Sequence, residues 1–315
     1  LAQLQESLGG AVVPVALPIG TEAAFSGVVD LVGMEARSYA GGPNGTKGAI
    51  PADMNDAVAS AREVMVEKLA EQDDDLMMKY LDGGELSNDD LKVCLSKGLK
   101  TGGVVPVLVA NAANGAGTDL LLDLVTTYGP SPLDRTTYKT LKDGAEAPVV
   151  VSPTGAFLGY VFKTTVDIQT GKITIFRVVS GSVPADGFLN VNTGVRERFG
   201  GIGKLLGKKF DAITTAVCGD IVAVVKLKET RTGQTLAADG SQGELATMTL
   251  PAPCISYAVK PRSQGDEDKV SAAVQKLVEE DVGLTLSRDD ESKEFLLHGL
   301  GQGHIQTAVD KLKRK

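Results

Sequence analysis

At 315 residues the chain is too long for one ordinary hydrophobic core, and 43% hydrophobic with 23% charged residues and no Trp describes a globular, cytoplasmic type of protein rather than a disordered one. No apolar run approaches the ~20 residues of a membrane-spanning helix, and LAQLQESLGG at the start has neither an initiator Met nor a basic-then-apolar leader, so neither membrane association nor a signal peptide is expected. The net charge of −8 divides unevenly: Lys and Arg number 8 against 18 Asp and Glu over residues 1–130, 14 against 11 over 131–250 and 10 against 11 over 251–315, so the first segment repels phosphate backbones and the middle one can meet them.

VVPVALPIG (12–20) and FSGVVDLVGMEARSY (25–39) carry β-branched clusters broken by Gly and Pro, the signature of short strands. From Pro51 to Gln72 the period changes. Val58, Ala61, Met65 and Leu69 recur at helical spacing, with Glu63, Glu67 and Glu71 on another face. DDLMMKYL predicts a second helix, and the capping-box pattern Ser-Asn-Asp-Asp opens a third at Ser87. Val104–Val109 and then Thr118 to about Tyr128 read as a strand and a helix joined by a Gly-bearing loop, the βα unit of a covered parallel sheet. GPSP at 129–132 marks a domain boundary.

Between Ala147 and Leu250, FLGYVFKTTV, GKITIFRVV, GFLNVNT and GDIVAVVKL alternate with Gly-containing turns, which predicts an all-β barrel whose closure removes exposed edges. The last segment gives strand PCISYAVKP, a cap-like Ser263–Asp266, a helix with Val270, Val274, Leu277, Val278 and Asp281 on one stripe, a hairpin around Asp289-Asp290, and a helix from GHIQTAVDKLKRK. The order βαββα is a ferredoxin-like unit without its fourth strand.

Several motifs fail as chemistry. Cys94, Cys218 and Cys254 lack CxxC spacing and read as reduced thiols, and His298 and His304 have no third donor beside them for a metal. Asp30-Leu-Val-Gly33 fits a loose DxxG pattern that recurs by chance. GGIGKLLGKK (200–209) misses the GxxxxGK[ST] spacing, and its basic residues read as a surface loop facing solvent or RNA. HGLGQGH (298–304) reads as a tight strand-to-helix turn rather than a phosphate cradle. No Ser or Cys nucleophile with a His partner can be argued, and no catalytic residue is assigned.

LQESLGGAVVPVALPIGTEAAFSGVVDLV, LMMKYLDGGELS, VVPVLVANAANGAGTDLLLDLV, GKITIFRVVSG, VRERFG, GDIVAVVKLKETRTGQTL and EFLLHGLGQGH stand in the order and spacing of bacterial elongation factor G, which the chain resembles over essentially its whole length. The resemblance implies a multidomain α/β, all-β and α+β protein. Residues 1–129 would be the end of a P-loop GTPase domain with an inserted helical subdomain, 130–250 a translation-factor β-barrel, and 251–315 a partial ferredoxin-like domain. It further implies a longer parent that uses GTP and Mg²⁺ to promote translocation or ribosome recycling. The phosphate loop, the switches and NKxD would precede Leu1, so this piece is expected to hold no cofactor or metal and to hydrolyse no GTP.

By the same resemblance Asn111-Ala112 falls where the family has its last guanine-contacting motif, Ser-Ala. The helical insert would meet the ribosomal stalk protein through Glu63, Glu67 and Glu71, and the barrel would meet small-subunit rRNA through Arg196, Arg198, Lys204, Lys208 and Lys209. The competing expectation for Arg198 is a cross-strand pair with Glu197. Departures point to a divergent elongation-factor-G-like paralogue: LGQGHIQ (300–306) stands for MGELHLE, TGQTL for TGDTL, and Lys226 for a Gly in VVKL. The size of the insert argues against the related tetracycline-protection and back-translocation factors. A cytoplasmic monomer is expected, and a non-ribosomal adaptor derived from a GTPase is the alternative.

Overall fold

The structure, a computed structural model, describes residues 1–135, 138–167, 170–207, 209–260, 265, 267–291 and 294–314. These separate into two compact units, Leu1–Asp134 and Arg135–Lys315.

In the first unit a short helix, Ala2–Leu8 (α1), leads into strand Val12–Pro14 (β1). The run VVPVALPI then divides between two sheets. Ala16–Ile19 (β2), Gly27–Asp30 (β3), Glu35–Ser38 (β4) and Thr46–Gly48 (β5) form an antiparallel sheet in that order. Strand β1 instead pairs in parallel with Val105–Val107 (β6). Val15 links them: its N–H donates to the Val107 carbonyl and its own carbonyl accepts from the Leu31 N–H, both at 3.0 Å. Pro14 has no N–H to extend a ladder, so the change of partner there costs no donor.

Helices Asn55–Ala70 (α2), Asp74–Leu81 (α3) and Asn88–Thr101 (α4) follow, and Thr118–Tyr128 (α5) comes after β6. The period read for α2 holds: Val58, Met65 and Leu69 are buried in one core with Leu91 and Leu95 of α4 and with Val13, Val29 and Leu31. Helix α4 starts on the expected capping box, with Ser87 Oγ accepting from the Asp90 N–H (3.2 Å) and the Asp90 carboxylate accepting from the Ser87 N–H (2.9 Å). Lys79, 2.9 Å away, and these Ser87 bonds hold the Asp90 carboxyl down to about 2. Gly102, with φ +77°, closes the helix in the left-handed conformation. Replacing Ser87 with Ala is expected to cost about 1 kcal/mol in urea unfolding, the usual value of a lost N-cap.

The second unit has a three-stranded sheet of Glu244–Leu245 (β17), Lys139–Lys142 (β7) and Ala145–Pro148 (β8), in that order. Its main sheet has eight antiparallel strands: Leu158–Asp167 (β9), Gly171–Ser180 (β10), Phe188–Asn190 (β11), Val195–Glu197 (β12), Ile202–Leu206 (β13), Lys209–Ile213 (β14), Ile221–Val225 (β15) and Thr235–Ala237 (β16). Their spatial order is β12-β11-β16-β9-β10-β15-β13-β14. The closed barrel expected from the turn spacing is not formed, because edge strands β12 and β14 do not pair with each other among the described residues. Both edges are short and carry exposed charge, Arg196 on one and Lys209 with Asp211 on the other, which guards an open edge without closure.

Strand β15 lies between β10 and β13, and Val222, Ala223 and Val224 are buried in succession. Both its faces are covered, as its unbroken apolar run predicts. Val222 and Val224 pack with Phe157, Phe176 and Phe188, whose ring centroids lie 5.8 to 6.2 Å apart.

The remaining strands, Ile255–Val259 (β18), Thr285–Arg288 (β19) and Phe295–Gly299 (β20), form an antiparallel sheet in the order β18-β20-β19. Helices Glu267–Glu280 (α6) and Gln302–Arg314 (α7) complete the βαββα order read from the sequence. Val274, Leu277, Leu284, Leu297, Ile305 and Ala308 make its core. The cap expected at Ser263–Asp266 falls on residues of which only Gly265 is described. Glu280, at the end of α6, accepts from the Val166 N–H of β9 at 2.6 Å.

Candidate nucleic-acid interface

Basic residues singled out in the sequence stand on both edge strands of the eight-stranded sheet and on the strand next to one of them. Arg196 lies on β12 at one edge of the eight-stranded sheet, Lys204 and Lys209 on β13 and β14 at the other, and Lys208 lies outside the described residues. Three of them have acidic partners: Arg196 with Asp186 at 3.4 Å, Lys204 with Asp220 at 2.9 Å and Lys209 with Asp211 at 2.8 Å. A cation already paired gains less from a phosphate, since its carboxylate must first be displaced.

Arg198 is exposed and does not pair with Glu197. Glu197 is buried, with its carboxylate turned onto a loop: Oε1 accepts from the N–H groups of Lys228 (2.6 Å) and Glu229 (3.0 Å), and Oε2 from the Thr230 N–H (2.9 Å) and the Thr230 hydroxyl. Burial pushes the Glu197 pKa up, but the Thr230 hydroxyl and the three amides outweigh it and hold the group below the usual range. This loop, Lys226 to Gln234, carries exposed Lys226, Lys228 and Arg231. The alternation in KLKETR is a sequence signal of cations standing over buried neighbours.

In the first unit Glu63 and Glu67 are exposed on α2, away from its buried stripe, and Glu71 is exposed just past its end. Glu71 pairs with Lys68 at 2.6 Å and raises the Lys68 pKa. Asn111 and Ala112 lie in the loop between β6 and α5. The Asn111 N–H donates to the Ala116 carbonyl (2.8 Å), and its side-chain oxygen accepts from the Ala113 N–H (3.0 Å). That oxygen is thus engaged by its own loop, and Ala112 is exposed.

The motifs read as structural behave so. Asp30 Oδ1 accepts from the Val32 and Gly33 N–H groups (2.9 and 3.1 Å) and closes the β3–β4 turn. In HGLGQGH, His304 Nδ1 accepts from the Leu300 N–H at 3.1 Å, so the ring proton sits on Nε2 and donates to Asp281 at 3.0 Å. The imidazole clamps the strand-to-helix turn. All three cysteines are unpaired, Cys94 being buried, and burial raises the Cys94 and Cys218 pKa values. Among the described residues no three His, Cys, Asp or Glu side chains converge as metal ligands, and no helix is long and apolar enough to cross a membrane.

A charged cluster in the first unit was missed altogether. Arg37 on β4 reaches Asp119 (3.1 Å) and Asp123 (2.8 Å) on α5, and Asp119 also accepts from the Tyr39 hydroxyl (2.6 Å) and the Gly45 N–H (3.1 Å).

Residues 156–239 match the family described as Elongation factor G domain 2, and residues 250–315 match Elongation Factor G, domain III. Over 316 aligned residues the whole chain is 36% identical to the Elongation factor G-like protein of Thermotoga maritima and covers 46% of it. A crystal structure of a protein from Thermus thermophilus matches 99% of this chain and 45% of that one, with TM-score 0.84 and 27% identity. The chain therefore spans somewhat under half the length of these relatives.

Proposed function

The chain is a homologue of elongation factor G-like proteins and carries the family's domain 2 and domain III in tandem, and from that premise we propose that it is a ribosome-binding part of a translation factor. In this reading the longer protein promotes GTP-dependent translocation or ribosome recycling in the cytoplasm. The division 1–129, 130–250 and 251–315 is proposed for its domains, and a monomer for its state. Its rRNA contacts are drawn from Arg196, Arg198, Lys204, Lys208 and Lys209, and its contacts to the stalk protein from Glu63, Glu67 and Glu71. GTP and Mg²⁺ are assigned to the longer protein, with Asn111 and Ala112 as the remnant of its guanine-contacting motif.

The observation that carries the reading is the 36% identity running through the whole chain to an elongation factor G-like protein. The basic balance of residues 131–250 supports a phosphate-rich partner. Pelleting with purified ribosomes at 50 and 200 mM salt tests it. Binding is expected at low salt and should weaken at least about tenfold at high salt, as counterion release requires. Absence of the chain from the ribosomal pellet at low salt would reject the reading in favour of a non-ribosomal adaptor.

A further inference from the structure

Once the neutralised cations are set aside, the eight-stranded sheet keeps exposed Lys163 on β9 and three exposed cations on one immobilised loop. Its backbone is fixed by the Glu197 carboxylate on residues 228 to 230, by the Lys226 N–H on the Lys172 carbonyl (2.8 Å), and by the Arg231 N–H on Gln234 Oε1 (2.7 Å). Lys226, Lys228 and Arg231 are exposed on it, and exposed Arg198 directly follows the anchoring Glu197. None of these four forms an ion pair among the described residues. Glu229 is the one exposed acid on the loop.

Lys226 has φ +65°, in the left-handed region that glycine enters freely and a residue with a Cβ does not. The backbone N–H of Lys226 is bonded to Lys172, but its exposed side chain has no ion pair among the described residues to offset the unfavourable conformation, which points to a role outside the fold. The loop's apolar residue, Leu227, is 3% exposed and faces the core cluster. A protein partner would therefore find no apolar anchor on this loop, whereas a phosphate backbone needs only fixed, unpaired cations.

We propose that Lys226, Lys228 and Arg231, together with Arg198, form a contact surface for the phosphate backbone of RNA, and that Lys226 occupies its strained position for its charge. The surface deepens the ribosome-binding reading and rests on it for which RNA is met. Because the loop is already fixed, little conformational freedom is lost on binding. Each cation that meets a phosphate displaces counterions condensed on the RNA.

The test is fluorescence anisotropy of the full chain with a labelled 20-base-pair RNA duplex over a salt series, alongside thermal melts. Lys226→Gly is expected to weaken binding about three- to tenfold and to make the salt slope shallower by roughly 1, with Tm unchanged or raised. A structural role for the lysine would lower Tm. The pair Lys228→Ala with Arg231→Ala should weaken binding at least about tenfold, and Lys204→Ala with Lys209→Ala by under about twofold. Wild-type affinity and slope in Lys226→Gly or in the 228/231 pair would overturn the proposal, as would tighter binding of polyglutamate than of the duplex. Duplex binding that responds to these variants in a chain that fails to pellet with ribosomes would uphold the surface and reject the ribosome-binding reading.

Discussion

Replacing Glu197 with Ala is expected to destabilise the second unit by roughly 3–5 kcal/mol, the range for stripping the partner from several buried polar groups. Three backbone N–H groups and the buried Thr230 hydroxyl lose their acceptor together. Gln234 Oε1 is not free to receive them, because it already accepts from the Asn190 amide and the Arg231 N–H. Glu197→Gln keeps the shape and one acceptor oxygen, so it should fall between wild type and Ala. Thr230→Ala removes one donor to Glu197 and the acceptor of the Asn190 amide (3.1 Å), and should cost about 1–3 kcal/mol.

The same carboxylate makes stability depend on pH. Its folded-state pKa is held below that of the unfolded chain, so the stabilisation is complete above the ordinary Glu range near 4.3 and declines as pH falls through the folded value. Urea unfolding at pH 7 and at pH 3.5 should show wild type losing more stability than Glu197→Gln does. An equal loss in both would mean that the amides do not hold a charged carboxylate. Two transitions are to be expected from a chain with two compact units, and only that of Arg135–Lys315 should move.

What could be read in advance follows the range of the interaction. Helix α2, the Ser87 box and the βαββα order come from spacings of three or four residues and from local capping, which the chain writes into consecutive positions. The turn at His298–His304 was legible for the same reason, since a strand and a helix flank it closely. Sheet closure was not: whether β12 meets β14 depends on twist and on edge chemistry, and the turns that predict a barrel are equally those of an open antiparallel sheet. Nor could residue type tell a free cation from a paired one, because Lys204 and its Asp220 are 16 residues apart and Arg196 reaches back 10 to Asp186. Lys226 was noticed as a departure from glycine, but its consequence needed the backbone angle.

Removing Arg37 is the second change with a large expected effect, and it strikes the first unit. The guanidinium side chain is 9% exposed and bridges β4 to α5 by joining Asp119 and Asp123, residues 82 and 86 positions away. Burial works against its charge, but the hydrogen bonds to Asp123 and Asp119 win and raise its pKa. Arg37→Ala would leave Asp119, with a side chain 20% exposed, without its countercharge, and removing one partner of such a pair costs about 3–5 kcal/mol. Arg37→Met, which restores volume but not charge, should recover little, whereas adding Asp119→Asn to it should recover more by removing the stranded anion. Recovery with Met alone would show that packing, not charge, is the bond between sheet and helix. Acid behaviour gives an independent reading. Burial raises the Asp119 pKa, yet the Tyr39 hydroxyl, the Gly45 and Leu120 amides and Arg37 together lower it. The stability it contributes is therefore complete above the unfolded Asp range near 3.9 and is lost as pH falls through the lower folded value. Without Arg37 that lowering shrinks, so the variant's stability should decline less steeply between pH 5 and pH 3 than that of wild type. Tyr39, pushed up first by burial and then by its bond to Asp119, should resist ionisation in alkali, and spectrophotometric titration should show it shifting back toward the ordinary value in Asp119→Asn.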